Sequence, residues 1–249
     1  MENTTIEKRP LTFVLFVLRL LSGLTGGVAG TLALFVIYFI LVSLVPSGGE
    51  STISVFVMII MAFVGTLTAN TITAVMVTFL DNGKYNRRKT IITQVFLFNL
   101  ILFFLTIPLY FLGISMGFAN GVAALHFLIS AFISALIMEV LAGHEYALLG
   151  IYSSALGIFI SIGFTLALLT LEVSTTTFTF AAMPTVWAIL QITGGLSELI
   201  YDNFLKFYGV DALNVKTDIG GDEDKEADKE KSEEDEENEN DEDEDNDKD

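Results

Sequence analysis

The sequence contains no cysteine, only four prolines and two histidines, and few charged residues for its length of 249. Without cysteine, disulfide bonds, zinc-thiolate sites and iron–sulfur clusters are excluded, because each of them needs cysteine sulfur. Charged residues make up 17% of the chain, whereas they make up about 25% of an ordinary soluble domain. Hydrophobic residues make up 52% of it, and the mean hydropathy is +0.61. This composition predicts a protein that folds in lipid.

Positive charge is also scarce, since 13 Lys and Arg residues stand against 30 Asp and Glu residues, for a formal net charge of −17. Most of the excess lies in residues 221–249, which hold 19 acidic residues and four lysines. Residues 211–249 offer too few apolar side chains to offset the entropy of an ordered chain, so we predict a disordered acidic C-terminal tail. Such a tail attracts a basic protein or a cation and repels nucleic acid. Acidity without cysteine also suits an organism living in high salt, or a virus that infects one.

Long apolar stretches dominate the rest of the chain. A membrane-spanning helix needs about 20 apolar residues, and six stretches are long enough. They cover approximately residues 24–45, 53–80, 90–112, 118–141, 147–171 and 177–200. The connections are short, so consecutive spans must lie antiparallel in one bundle. We therefore predict an all-α protein, a polytopic transmembrane bundle of about six spans over residues 24–200, embedded in a lipid bilayer.

The two ends of the bundle are less regular than its middle. The first apolar stretch runs over residues 11–45, and as one helix it would measure about 52 Å, well beyond a hydrocarbon core of about 30 Å. Arg19 and a glycine cluster within residues 23–30 favour a break, with a cytoplasmic N-terminus and an interfacial helix in residues 1–23. The alternative is a single steep, kinked helix whose Arg19 reaches toward the headgroups. After the sixth span, apolar residues at helical spacing predict an amphipathic juxtamembrane helix that ends in residues 201–210.

Lysine and arginine indicate the orientation, because they favour cytoplasmic loops. The loop between the second and third spans carries Lys84, Arg87, Arg88 and Lys89, whereas the first, third and fifth loops carry no Lys or Arg. We therefore predict a multi-pass protein of the cell membrane with both termini in the cytoplasm. If the chain is viral, the membrane is a host membrane or an envelope.

Polar residues within the spans recur at helical spacing and therefore share one face of each helix. The faces belong to the second, fourth, fifth and sixth spans: Thr66, Asn70 and Thr73; His126, Ser130 and Ser134; Gly150, Ser154, Gly157 and Ser161; Gln191, Gly195, Glu198 and Asp202. The small-residue face of the fifth span should let a neighbouring backbone approach closely. The other three faces either join the bundle through hydrogen bonds or line a polar path between spans two, four and six.

Ionisable residues within apolar segments are costly in lipid. The candidate intramembrane polar positions are Arg19, Asn70, His126, Glu139, Gln191 and Glu198. Arg19 either stays solvated at the interface or pairs with Glu139 or Glu198 and closes the cytoplasmic end of the bundle. His126 is either a neutral histidine hydrogen-bonded to a neighbouring helix or a proton relay.

Catalytic patterns are weak in this chain. Residues 113–117 read Gly-Ile-Ser-Met-Gly and match the G-x-S-x-G pattern of serine hydrolases, but the predicted topology places no histidine beside Ser115. We therefore expect no catalytic residue, no cofactor, no metal site and no enzymatic activity. The sequence favours a structural or interaction protein that presents its acidic tail in the cytoplasm. The alternative is a small-solute transporter or channel lined by the polar faces of spans two, four and six. The sequence leaves the oligomeric state open.

Overall fold

The computed structural model describes residues 12–44, 51–81, 84–85, 87–142, 144–171 and 175–205. Its six helices are α1 (Phe13–Leu44), α2 (Ser51–Leu80), α3 (Arg88–Ser115), α4 (Ala119–Ala142), α5 (His144–Thr170) and α6 (Thr175–Ile200). All six are long and apolar enough to cross a membrane, and the described residues contain no strand. The all-α, six-span prediction is confirmed, and the protein is a multi-pass membrane protein.

The helices follow one another around the bundle, and α1 closes the circle by packing against both α2 and α6. Helix α4 also contacts α2 and α6, so these three helices surround the interior. Burial agrees with this arrangement: 61% of the apolar window of the sixth span and 56% of that of the fourth are buried, against 28% in the first, third and fifth. The polar faces predicted on spans two, four and six therefore lie on the three innermost helices.

Helix α1 continues without a break from Phe13 to Leu44. The helix therefore has no end near residue 23, where we expected the boundary between an interfacial helix and the first span. It is continuous like the single helix of the alternative, but its Arg19 enters the bundle instead of reaching toward the headgroups. How deeply its first turns lie in a bilayer stays a prediction. At the other end, a π-helical turn, Tyr201–Leu205, extends α6. The rest of the predicted juxtamembrane helix and the predicted tail, 211–249, lie outside the described residues.

The glycines of α1 serve close packing rather than a bend. Gly23 and Gly27 face α6, where a Cβ atom on Gly27 would lie 2.5 Å from Pro184 Cα. Gly26 and Gly30 face α2, where a Cβ atom on Gly30 would lie 2.5 Å from the Gly65 carbonyl oxygen. The segment thus holds two overlapping G-x-x-x-G motifs, which let helix backbones approach closely in membranes. Each motif serves a different neighbour, so α1 is wedged between α2 and α6.

The small-residue face of α5 is used in the way that the sequence predicts. A Cβ atom on Gly150 would overlap the side chain of Glu139 in α4, and one on Gly157 would lie 2.5 Å from Thr193 Oγ1 in α6. Ser154 and Ser161 on the same face are buried. Helix α5 is therefore packed closely against both α4 and α6.

Replacing Gly27 with alanine tests the close packing of α1. The added methyl group meets backbone atoms of α6 that cannot move aside, so we expect the free energy of unfolding to fall by about 1–3 kcal/mol. Gly163→Ala is the matched control, because a Cβ atom there meets nothing within 4 Å. The control should be neutral or slightly stabilising, since alanine is the better helix former. Equal thermal stability of the two variants in detergent would contradict the packing role.

Candidate functional site

Four charged side chains form a closed ring of ion pairs at the end of the bundle where α1 begins and α6 ends. Arg19 Nη2 lies 2.5 Å from Glu139 Oε1, and Arg19 Nη1 lies 2.8 Å from Glu198 Oε2. Lys84 Nζ lies 2.6 Å from Glu139 Oε2 and 2.5 Å from Glu198 Oε2. Positive and negative groups alternate around this ion-pair ring, so every charge in it has two opposite neighbours. The ring joins α1, the α2–α3 loop, α4 and α6.

The ion-pair ring is buried. The exposed fractions are 2% for Arg19, 4% for Lys84, 6% for Glu139 and 3% for Glu198. A buried charge without a partner is strongly destabilising, whereas a well-made pair recovers much of the lost hydration. With two cations and two carboxylates the ring is neutral as a whole. The pairing is therefore what allows these four groups to leave water.

Glycines leave the space that the ring occupies. A side chain on Gly150 of α5 would overlap Glu139, and a Cβ atom on Gly194 of α6 would lie 3.3 Å from Arg19 Nη2. The packed surface of α5 therefore backs Glu139, while Arg19 lies against the bare backbone of α6. These contacts fix the positions of the Glu139 carboxylate and the Arg19 guanidinium.

Two further side chains between α2 and α3, Tyr85 and Asp81, lie beside the ion-pair ring. Tyr85 Oη donates a hydrogen bond to Glu139 Oε1 over 2.8 Å and accepts one from Arg19 Nη2 over 3.1 Å. Asp81 Oδ1 accepts a hydrogen bond from the backbone N–H of Lys84 over 3.3 Å. The loop is thus tied to the bundle by a lysine, a tyrosine hydroxyl and its own internal turn.

The electrostatic surroundings shift the pKa values of these loop groups. Burial alone lowers the pKa of Lys84, but the Glu139 and Glu198 carboxylates outweigh burial and raise it above its usual value. Burial raises the pKa of Tyr85, which keeps its hydroxyl a hydrogen-bond donor. Burial and the negative charge of Glu198 raise the pKa of Asp81. Lys84 is therefore charged in the ring.

The predicted pairing of Arg19 is confirmed, and Arg19 contacts Glu139 and Glu198 at once. The alternative in which these side chains stay solvated at the interface is wrong, because the bundle encloses them. Sequence reasoning missed Lys84 and Tyr85 as members of the site. Lys84 served only as a marker of orientation, although its position three residues after Asp81, at the end of a span, places it beside the other buried charges.

Deeper in the bundle, an asparagine layer joins four helices: it consists of Asn70, Asn99, Ser130 and Trp187. Asn70 Nδ2 donates to Asn99 Oδ1 over 2.8 Å and to Ser130 Oγ over 2.7 Å. Trp187 Nε1 donates to Asn70 Oδ1 over 2.9 Å, and Asn99 Nδ2 donates to the Val95 carbonyl over 2.7 Å. The polar atoms of Asn70 are therefore all bonded to protein groups. Sequence reasoning found Asn70 and Ser130 but missed Asn99 and Trp187.

A histidine layer follows toward the opposite end. His126 Nε2 lies 3.3 Å from Thr66 Oγ1 and its Nδ1 lies 3.1 Å from Thr106 Oγ1, so the imidazole of His126 bridges α2 and α3. Each hydroxyl also lies 2.9 Å from a carbonyl of its own helix, that of Ala62 or that of Leu102. A neutral imidazole has one N–H and each threonine has one hydroxyl proton, so three protons are available for these four contacts. The imidazole nitrogen without a proton can only accept a hydrogen bond, so the threonine beside it must donate to the imidazole. Either threonine can take this role.

Together the ion-pair ring, the asparagine layer and the histidine layer form a polar column along the interior. Helix α4 contributes Glu139, Ser130 and His126 to the three levels in turn. The 13 residues from His126 to Glu139 extend about 20 Å along the helix axis, at about 1.5 Å per residue. The column is therefore long enough to reach across about two thirds of a hydrocarbon core of about 30 Å.

Gln191 is the one predicted position that joins none of these three groups. Its side chain is 3% exposed, and Oε1 has no hydrogen-bond partner among the described residues. It lies on the face of α6 between Trp187 and Glu198. Gly195, on the same predicted face, packs against Phe16 of α1, because a Cβ atom on it would lie 2.8 Å from Phe16 Cδ2.

The serine-hydrolase pattern of residues 113–117 covers the last three residues of α3 and the first two residues of the turn that follows it. Ser115 Oγ donates to the carbonyl of Leu112 over 2.7 Å, and Gly117 adopts a φ of 70°, which glycine accommodates without strain. Both ring nitrogens of His126 face threonine hydroxyls instead of this serine. The serine and the histidine are therefore not arranged as a nucleophile and its base.

Comparison with protein-family models, with curated proteins and with solved structures finds no match for this chain. The interpretation of function therefore depends on the polar column and its surroundings.

A double-mutant cycle tests the ion-pair ring. Arg19→Ala and Glu198→Ala should each lower the free energy of unfolding by about 3–5 kcal/mol, because each leaves an unpaired buried charge. The double variant should lose clearly less than the sum, since it removes both partners together. Arg19→Ala combined with Thr165→Val, a change in α5 outside the ring, is the control and should be additive. Additive losses for Arg19 and Glu198, measured by unfolding in detergent, would show that the pair contributes nothing of its own.

Proposed function

We propose that this protein is a small-solute transporter or channel whose path follows the polar column between α2, α4 and α6. The single observation that carries the proposal is the column itself, because polar and ionisable groups are expensive in a membrane interior and mark solute and ion pathways there. Its levels lie in the interior, where α1 and α3 contribute Arg19, Asn99 and Thr106, while the outer sides of α1, α3 and α5 expose large apolar side chains. A polar path enclosed by an apolar surface is the arrangement that such a function needs.

In this proposal the ion-pair ring is the closed end of the path. It ties α1, the α2–α3 loop, α4 and α6 together. At the other end, a cavity of about 70 Å³ is lined by Ala62, Ala123 and Phe127, which flank Thr66 and His126 along α2 and α4. The lining of this cavity, which includes neither Thr66 nor His126, lies on the side of the histidine layer opposite to the ring.

If the polar groups only held the helices together, the bundle would have the same hydrogen bonds. A measurement of solute flux must therefore distinguish this structural role from transport. Purified protein in liposomes should pass urea or glycerol, followed by stopped-flow light scattering, or protons, followed by an enclosed pH dye. Thr66→Val should lower that flux about fivefold, the equivalent of one lost hydrogen bond of about 1 kcal/mol. Thr165→Val, a buried threonine of α5 outside the column, is the matched control and should leave flux unchanged.

Opening the ring should act in the opposite direction. Lys84→Gln removes one cation from the closed end, so we expect a higher flux of the same solutes than in the wild-type protein. Permeability no greater than that of protein-free liposomes, for the wild type and for Lys84→Gln alike, would rule out a transport function for these solutes and protons.

The orientation belongs to the same proposal, with both termini and the ion-pair ring on the cytoplasmic side of a cell membrane. Because the chain has no cysteine, single introduced cysteines report their own side of the membrane. Ser115→Cys, at the exposed C-terminal end of α3, should react with a membrane-impermeant maleimide on intact cells. Arg87→Cys, exposed in the α2–α3 loop, should react only after the cells are permeabilised. The reverse pattern would invert the topology.

The acidic segment 221–249 supports a second candidate function, an interaction role in which it attracts a basic protein or a cation. Its 19 acidic residues and four lysines give it a strong negative potential. The segment lies outside the described residues, so this role stays a prediction from composition. It is compatible with transport, since a binding segment and a membrane path can belong to one chain.

A further inference from the structure

Three buried polar atoms without a hydrogen-bond partner among the described residues belong to side chains between the ion-pair ring and the asparagine layer: Thr73 is one turn after Asn70 in α2, Gln191 is one turn after Trp187 in α6, and Arg19 belongs to the ring. They are Thr73 Oγ1, Gln191 Oε1 and Arg19 Nε. The side chains are 2–3% exposed, so bulk solvent does not reach them. Buried polar atoms in native proteins are nearly always bonded to protein or to an ordered water. Their shared location therefore points to a common ligand.

The glycine face of α1 shows how these groups come together. A Cβ atom on Gly23 would lie 2.7 Å from Gln191 Cγ, and one on Gly26 would overlap the hydroxyl of Thr73. Positions three apart on a helix are about 5–6 Å from each other, so both side chains lie against one bare turn of α1. Arg19 is one turn earlier on the same face. Gly23 and Gly26 themselves contribute no side chain to this region.

The chemistry of the three atoms restricts the ligand. Gln191 Oε1 can only accept a hydrogen bond, Arg19 Nε can only donate one, and the hydroxyl of Thr73 can do both. The ligand must therefore donate and accept. The positive charge of Arg19 disfavours a cation, and the carbonyl oxygen of Gln191 disfavours an anion. Because α1 closely approaches α2 and α6 at Gly23 and Gly26, the ligand must be a very small molecule.

We propose that Thr73 and Gln191 bind internal water, one or two molecules, with the N–H of Arg19 as a further donor. A buried water typically makes about three hydrogen bonds to otherwise unpaired groups, which is the number offered here. This hydration site lies between two levels of the polar column and links the ion-pair ring to the asparagine layer. It does not depend on whether the column conducts a solute.

Near-isosteric substitutions give opposite results for a hydrated site and a dry one. If the hydroxyl of Thr73 binds water, Thr73→Val breaks a hydrogen bond and should lower the melting temperature by about 2–4 °C. If the hydroxyl is unpaired, the same change removes a buried unsatisfied group and raises the melting temperature. Thr78→Val is the matched control in α2, since the hydroxyl of Thr78 bonds to the Val75 carbonyl of its own helix. Its change sets the baseline for losing a hydroxyl without a water.

The pair of side chains then shows whether they share the same water. Thr73→Val and Gln191→Met should lose less stability together than the sum of the single changes, because either one already disrupts the site. A rise in melting temperature for Thr73→Val, a loss equal to that of Thr78→Val, or additive losses for the pair would each overturn the proposal.

A measurement on the wild-type protein covers the case in which a variant does not fold. In lipid bilayers, solid-state NMR should detect magnetisation transfer from water protons to the side chain of Gln191. The side-chain amide of Asn70 is the internal reference, because both of its protons are donated to protein groups. Transfer to Gln191 no faster than to Asn70 would overturn the proposal as well.

Discussion

Arg19 enters the bundle with a full positive charge in the first third of its first helix, and the arrangement of three other elements follows from the need to neutralise it. A single carboxylate would neutralise the charge but would leave donors of the guanidinium unbonded. Two carboxylates satisfy more of the donors but leave an excess of negative charge, which Lys84 removes. The ring therefore balances the charge and bonds both Nη groups of Arg19, while Nε has no partner among the described residues. It requires α1, α4, α6 and the α2–α3 loop to end at the same level.

The glycines allow this arrangement. Helix α1 packs into the gap between α2 and α6 only because Gly23, Gly26, Gly27 and Gly30 leave two of its faces bare. In lipid, helices gain little from hiding apolar side chains from one another, so close packing and interhelical hydrogen bonds must supply the attraction. The bundle uses the first along α1 and α5, and the second in its interior. The two meet where Gly150 packs against Glu139 and Gly26 packs against Thr73.

Much of this fold is predictable from the sequence, because both signals are strong. Six apolar stretches of sufficient length define the spans, and polar residues at three- and four-residue steps identify the inner faces of α2, α4 and α6. Asn99 was missed because it stands alone in α3, with no periodic pattern to mark it. Trp187 was missed because tryptophan was counted as an apolar residue, and the sequence does not show that its N–H donates a hydrogen bond to Asn70. The glycines of α1 were assigned to a break in the helix, because glycine is expected both where helices pack closely and where a helix is interrupted.

Neutrality of the ring also determines how it responds to voltage. A transmembrane potential does work of about 2.3 kcal/mol on each elementary charge that moves through 100 mV. If Arg19, Lys84, Glu139 and Glu198 shift together, the work on the two cations cancels the work on the two carboxylates. If the α2–α3 loop carries Lys84 away from the carboxylates, one positive charge moves alone and the field acts on it. A movement of the intact ion-pair ring is therefore insensitive to the membrane potential, and only separation of Lys84 from the two carboxylates would make this end of the bundle respond to voltage.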